Sequence, residues 1–424
     1  MRKDRTKELS VKANMIYNTV GTTIYNFCIW LASVLIVKLS GFADAGLFSL
    51  AITVTNAPAV IALFNMRNFQ ASDLNGEYTD RTYITSRAIS NLIAFVICTG
   101  MIFFYRYDLM KSMTILAYMM FKIVEGVVDV YHGIDQRKGR MDYVGISLSI
   151  RGIGSLVAFL LVFHFTSSLL ICFLAMTLVS IAVVFFYDRR MVKPLLDGRV
   201  TEHLSKQVFA LLLTCLPLAV VYFLNSLSMM IPRLTLEKYF GQEVMGYYSS
   251  VSTPTIVVQV AAGSLIAPLI PVLTRCFRSR EKRGFLKTIC GFYLVAAVLT
   301  LLAVVLAYFF GDWLLTAFFG EGILPYVYLF IPILLMSVLI AVNATLFAIL
   351  TLMRIIRPQY VIGIAGFLAA IVSSLTIVKT LSVDGVVWAT MITTLIQIGI
   401  QIVMMLVGIR RQFGGEHEQE TTER

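Results

Sequence analysis

Charge is scarce in this chain. Only 14% of its 424 residues are Asp, Glu, Lys or Arg, against 58% hydrophobic, and the mean hydropathy is +0.83. A soluble chain of this length divides into two or three domains with charged surfaces, so this composition excludes that class. Cysteine and histidine are too few and too scattered for site chemistry. Cys28, Cys98, Cys172, Cys215 and Cys290 fall in apolar runs, Cys276 falls in a charged loop, and none has metal-ligand spacing. His132, His164, His203 and His417 stand apart from any nucleophile. No catalytic residue, metal site or cofactor is expected, and neither is an enzyme.

What is abundant is the long apolar run. Twelve stretches of about 20 residues, each enough to cross a hydrocarbon core of about 30 Å as a helix, follow one another. They cover residues 14–37, 45–66, 84–105, 112–131, 144–164, 168–187, 208–231, 246–273, 286–310, 322–353, 360–379 and 385–409. The fold class is therefore an all-α polytopic membrane protein. The two longest runs contain Pro254, Pro268 and Pro271, and Pro325 and Pro332, which predict kinks or tilt. The first run is long enough to span and lacks a small-residue cleavage site, so it reads as an anchor.

The 35 basic residues test this layout, because Lys and Arg near span ends are retained on the cytoplasmic side. With the N-terminus inside, 27 fall on the cytoplasmic segments, six on the outer ones, and two, Lys122 and Arg151, within spans. Both termini are expected in the cytoplasm, and the net charge of +11 reflects topology rather than nucleic-acid binding.

Two internal similarities suggest a duplication. "KLSGFADAGLFSLAITVT" (38–55) matches "KYFGQEVMGYYSSVSTPT" (238–255) at an offset of 200, pairing Lys38, Gly41 and Gly46 with Lys238, Gly241 and Gly246. "RKGRMDYV" (137–144) matches "RIIRPQYV" (354–361) at an offset of 217. Both fall where two six-span copies of the same orientation place them. The expected organisation is an N-terminal lobe, 1–187, a cytoplasmic linker, 188–207, a C-terminal lobe, 208–409, and a tail, 410–424. A cleft between two such lobes is the expected substrate path.

The segments "RNFQASDLNGEYTDRTYITSR" (67–87), "VEGVVDVYHGIDQRKGRMDYVGISLSIRG" (124–152) and "IPRLTLEKYFGQEVMGYYSSVSTP" (231–254) resemble the polysaccharide transporter family, the O-antigen and capsule flippases of the multidrug/oligosaccharidyl-lipid/polysaccharide (MOP) superfamily. The resemblance covers the twelve-span layout. It implies a MATE-like fold and a flippase of the bacterial plasma membrane that moves undecaprenyl-pyrophosphate-linked oligosaccharide outward by alternating access. A polysaccharide polymerase and glycosyltransferases would be its partners.

The charged residues within spans bear on that expectation. Tyr118, Lys122, Glu125 and Asp129, spaced four, three and four apart, share one helix face. Lys122 lies near mid-span, and Arg151 lies at about 10 Å depth at 1.5 Å per residue. A cation at the bilayer centre costs about 2.5–3.5 kcal/mol even on insertion scales, so it faces a bundle interior or a water-filled cavity. Two readings follow. In one, Lys122 pairs with Glu125 and Arg151 with Asp129, holding the fourth and fifth spans together. In the other, Lys122 and Arg151 line the path of a pyrophosphate, with Glu125 and Asp129 in coupling or charge-pairing roles. Arg67 and Arg87 at the cytoplasmic mouth and Arg233 at the outer end of the seventh span are further candidates for the head group. Two other functions compete. A multidrug or cation antiporter of the same fold would carry an acid in the first, second or seventh span, and none is there. A membrane-embedded polysaccharide-assembly enzyme would need catalytic groups on a sizeable outer loop, and the outer loops are short.

Overall fold

In a computed structural model, residues 8–73, 76–199, 203–266, 269–355 and 358–413 are described. Every regular element among them is helical: α1 (Val11–Ser40), α2 (Phe42–Leu63), α3 (Met66–Ser72), α4 (Asp80–Tyr105), α5 (Leu109–Arg137), α6 (Met141–Thr166), α7 (Leu169–Val183), α8 (Arg189–Val192), α9 (Leu204–Phe240), α10 (Gln242–Ser252), α11 (Ile256–Ile266), α12 (Leu269–Arg278), α13 (Lys282–Phe319), α14 (Phe330–Leu352), α15 (Gln359–Ser373) and α16 (Lys379–Phe413). Ten helical stretches are long and apolar enough to span a bilayer. One of them, Gln359–Phe413, is broken by the non-helical backbone of Ser382 (φ 52°, ψ −120°). The more charged α5 matches the others in length at 29 residues, which makes twelve helices in all. The all-α polytopic fold follows from the solvent: inside a bilayer only helices or closed barrels satisfy every backbone polar group.

The helices outrun the apolar stretches by a few residues at most ends, because caps lie beyond the hydrocarbon. Ser10, Thr79 and Asp108 accept hydrogen bonds from the amides of Ala13, Thr82 and Lys111 at the starts of α1, α4 and α5. The prolines act unequally. Pro254 sits in a 3-10 turn, Thr253–Thr255, that breaks the eighth span into α10 and α11. Pro325 lies in a nine-residue 3-10 segment, Glu321–Leu329, before α14. Pro232 lies inside α9 without ending it, so α9 continues to Phe240. Pro268, Arg357, His417, the basic residues before Glu8 and the tail after Phe413 lie outside the described residues. Two helices continue through π turns: α7 into Val184–Asp188, and α15 into Ser374–Val378.

The offset of 200 has a backbone counterpart. Gly41 (φ 90°, ψ −174°) and Gly241 (φ 89°, ψ 172°) adopt one conformation, each donating its amide to the carbonyl four residues back, Val37 and Glu237. A positive φ of this size is open only to glycine at low cost, so the same residue recurs for the same reason.

The chain divides into two compact units, Met1–Ser226 and Leu227–Arg424. In unit 1 the segment after α8 and the start of α9 pack on α4. Asp197 exchanges backbone-to-carboxylate hydrogen bonds with Asp80, and Thr82 Oγ1 donates to Gln207 Oε1 at 3.0 Å. Also in unit 1, α1 lies against α6 with backbones in near contact. A Cβ on Gly21 would strike the Gly145 backbone, one on Gly145 would strike the Tyr17 carbonyl, and one on Gly152 would lie 2.9 Å from the Tyr25 Cα. Small residues that let helix backbones approach are the usual device for helix association in lipid.

Candidate functional site

The α1–α6 approach builds the central polar cluster of unit 1, by carrying Tyr25 of α1 to the charged faces of α5 and α6. Lys122 Nζ lies 2.8 Å from Glu125 Oε2, one helical turn away. Arg151 Nη2 of α6 lies 3.8 Å from Glu125 Oε1, too far for a hydrogen bond, and the Tyr25 hydroxyl donates to that same oxygen. Aromatic faces complete the shell. The Tyr118 ring centroid is 5.6 Å from Lys122 Nζ, and the Tyr25 centroid is 5.5 Å from Arg151 Cζ. Two cations thus share one carboxylate, leaving one uncompensated positive charge. The Arg151 side chain is 3% exposed, and its Nε and Nη2 have no hydrogen-bond partner. Lys122 and Glu125 keep 22% and 20% exposure, so the cluster opens on one side.

Asp129 belongs to a second cluster. Its carboxylate lies 2.7 Å from Arg87 Nη2 and 3.4 Å from Arg67 Nη1, and Arg67 Nε donates to Gln136 Oε1 at 3.1 Å. The expected Arg151–Asp129 pair is therefore corrected: Arg151 approaches Glu125, and Asp129 is taken by arginines of α3 and α4. The reason is depth. Asp129 lies one helical turn beyond Glu125 along α5, at the level where α2 ends, and Arg87 also donates to the Ala62 carbonyl there at 2.8 Å. Arg87 is not a mouth residue on a loop. It sits two turns inside α4 and is 1% exposed.

A third cluster clasps the ends of α4 and α5. Arg137 pairs with Asp80, which also holds the amide of Asp197 at 2.9 Å. Nearby, Asp73 accepts the amides of Glu77 and Tyr78 at 2.7 and 3.1 Å and the Tyr83 hydroxyl at 3.0 Å. Burial pushes the Asp73 carboxyl up, but these hydrogen bonds and the Arg137 charge outweigh it and hold it below the usual carboxylate range.

Arg233, expected at the outer end of the seventh span, lies two turns before the end of α9, with its guanidinium 5.7 Å from the Tyr248 ring centroid in unit 2. The buried polar pairs of unit 2 that the structure resolves are uncharged: Asn343 Nδ2 donates to Gln397 Oε1 at 3.1 Å, and Thr255 and Ser337 hydroxyls meet at 2.7 Å. An apolar cavity of about 220 Å³ lies between α11, α13 and α14, lined by Val257, Ala261, Phe292, Ala296 and Val338. Among the described residues no group of His, Cys, Asp and Glu is arranged to hold a metal ion.

Of the sequence candidates, the structure brings Lys122, Glu125 and Arg151 together, groups Asp129 with Arg67 and Arg87, and sets Arg233 apart in unit 2. Sequence reasoning missed Tyr25, which carries no charge and reaches Glu125 from 100 positions away. It also missed Asp80, Asp135 and Asp188. Their signal was present as acids near span ends, a place where acids say little about topology.

A helical membrane protein with a positively charged interior cluster is the class that fold and site define. Residues 11–277 match the family model described as polysaccharide biosynthesis protein. The chain belongs to that family. It is similar to the capsular polysaccharide biosynthesis protein CapF of Staphylococcus aureus, 26% identical over 310 residues that cover 73% of this chain and 77% of the relative. Among solved structures it is similar in fold to the MATE multidrug transporter DinF-BH (TM-score 0.69, 13% identity, 97% of this chain and 99% of that one). It is also similar to an inward-facing MATE family transporter of the MOP superfamily (TM-score 0.67, 14% identity, 93% and 98%) and to a MOP superfamily transporter from Pyrococcus furiosus (TM-score 0.63, 15% identity, 97% and 96%). The fold is that of the MOP superfamily.

Proposed function

We propose that the protein is a flippase of a bacterial plasma membrane that moves undecaprenyl-pyrophosphate-linked oligosaccharide between leaflets by alternating access, with both termini cytoplasmic, in cell-surface polysaccharide assembly. The observation that carries this reading is the excess cation of the Lys122–Glu125–Arg151 cluster. A buried guanidinium with two unpartnered nitrogens favours an anionic group that can enter and accept from it, and a pyrophosphate has the charge and the oxygens to do so. Family membership and the printed role of the CapF relative support the polysaccharide pathway. The transporter fold of the structural neighbours favours transport over catalysis, and the polymerase and glycosyltransferases of the same pathway are the proposed partners. Lys122 and Arg151 are the proposed head-group contacts, and Arg67, Arg87 and Arg233 are proposed as further cations along the path.

The test is leaflet transfer of a fluorescent lipid-linked oligosaccharide in vesicles holding the purified chain. Transfer above protein-free vesicles is expected. The Arg151→Gln variant, which takes the cluster to zero net charge, is expected to lose at least about tenfold, equivalent to about 1.4 kcal/mol, while Arg151→Lys retains a part. The paired exchange Lys122→Gln with Glu125→Gln leaves the net charge unchanged and is expected to lose less than Arg151→Gln. Absence of transfer by well-folded protein overturns the reading.

A further inference from the structure

The acids of unit 1 divide sharply by their partners. Glu125, Asp129, Asp80 and Asp142 each have a cationic nitrogen within 4 Å: Lys122 and Arg151, Arg87 and Arg67, Arg137, and Arg140 respectively. Such contacts hold a carboxylate ionised. Asp135 and Asp188 have none. Asp135, near the end of α5, is 2% exposed, and its Oδ1 has no hydrogen-bond partner. Asp188, the last residue of the π turn after α7, is 3% exposed, and its Oδ2 has none either. The neutral hydroxyl of Ser147 on α6 is buried beside Asp188.

The two acids occupy one region, each within electrostatic range of the other. The cations around them are committed elsewhere. Arg140 grips Asp142 through two hydrogen bonds of 2.9 and 2.8 Å, Arg151 faces Glu125, and Arg67 serves Asp129 and Gln136. Arg189 is exposed. The remaining neighbours, Tyr131 and His132 on α5, Tyr143 on α6 and Tyr187 on the π turn, are phenols and an imidazole with its Nε2 unpartnered. An apolar cluster of Ile134, Tyr143, Val192 and Leu195 packs over this end of the helices. Ionising both acids here would bury two like charges with no counter-ion, at several kcal/mol per ion before their mutual repulsion.

We propose that Asp135 and Asp188 form a proton-binding site in unit 1, holding at least one proton while α5, α6 and the π turn are packed together. Separation of the π turn from α5 hydrates the pair. The acid O–H bond then breaks, the electron pair stays on the carboxylate, and the proton passes to water. A π turn is a frequent locus of function in helices, because its looser hydrogen bonding lets the helix shift register there. Glu125 and Asp129, locked by cations, serve charge pairing, and this pair is the proton carrier. Its role in a transport cycle rests on the flippase reading. The bound proton does not.

The test is infrared spectroscopy of the full chain in lipid nanodiscs, following the carbonyl stretch of protonated carboxylic acid. Wild-type protein at neutral pH is expected to show a buried protonated carboxyl, and Asp135→Asn with Asp188→Asn to lose one such carboxyl per chain. Asn has the size and neutrality of the protonated acid, so the fold is kept, which thermal unfolding checks. Asp44→Asn, at the partly exposed start of α2, serves as control and leaves the band unchanged. Persistence of the full band in the double variant overturns the site. Loss of the wild-type band when sodium replaces potassium at constant pH also overturns it, since the ligand is then a metal cation. Because no substrate is used, a failed vesicle assay leaves this result standing.

Discussion

Inside unit 1, helices α1, α5 and α6 enclose two cations, one carboxylate and a phenol, whereas inside unit 2, helices α14, α15 and α16 enclose amides, with Asn343 bonded to Gln397 and Gln397 fitted against Gly366. Both arrangements join helices across lipid-exposed bundles. Only one of them is expensive. An interhelical amide contact in a membrane is worth about 0.6 kcal/mol on average, and a neutral pair tolerates loss of either member. A charged cluster gains little net stability over an apolar replacement, yet breaking it leaves a buried ion. A chain that needed only adhesion could have used amides in both places. The charge in unit 1 therefore marks the half where a ligand is to be sought, and the amides of unit 2 mark scaffold.

The comparison is broken most decisively by Glu125→Ala, which leaves Lys122 and Arg151 without a counter-ion and should destabilise by about 3–5 kcal/mol in thermal or denaturant unfolding in detergent. A loss no larger than that of Asn343→Leu would put the two units on the same footing. Next in size is Gly145→Ala. Its new methyl meets the Tyr17 backbone, which has no flexible end to yield, so a loss of about 1–3 kcal/mol is expected together with weaker transfer, as Tyr25 moves off Glu125. Gly366→Ala in unit 2 meets only the tip of Gln397 and should cost less. Equal effects would show that Gln397 is held as rigidly as backbone. A double-mutant cycle on Asn343→Leu and Gln397→Leu should give a coupling of about 0.6 kcal/mol. A value above about 2 kcal/mol would mean that the amide pair is no mere scaffold.

The smallest effect concerns Asp73. Its carboxyl is held below its ordinary value, so it contributes stability above the unfolded carboxylate pKa of about 3.9, and that contribution is lost as pH falls through the lower folded value. Hydrogen exchange at the amides of Glu77 and Tyr78 should accelerate as the medium is acidified below about pH 4. In Asp73→Asn the acceleration should be present at every pH. Identical acid profiles for the two proteins would remove Asp73 from the clasp.

The span count was legible because lipid leaves the backbone no choice but helix, and Lys and Arg distribution then separates neighbouring spans. The break at Thr253–Thr255 was half legible: Pro254 predicted a disturbance, but not a 3-10 turn in place of a kink. Within one helix, periodicity correctly put Lys122 beside Glu125. Between helices it had no purchase. Whether Arg151 meets Glu125 or Asp129 depends on the rotation and depth of α6 against α5, which glycines at 21, 145 and 152 set through contacts with α1. Arg87 was misplaced for a different reason. An arginine near a span end ordinarily anchors topology, and nothing local distinguishes one that turns inward to the Ala62 carbonyl and Asp129.

The π turn at Val184–Asp188 also has a genetic side. Such a turn accommodates one residue more than the α-helical register holds, so it has the form of a single-codon insertion that the helix has absorbed. Removing one residue from Val184–Tyr187 would restore the ordinary register and rotate everything after it by about 100°. Asp188 would then leave its place beside Asp135 while α7 itself survived intact. One deleted codon thus separates what that stretch contributes as a membrane span from what it contributes as an acid.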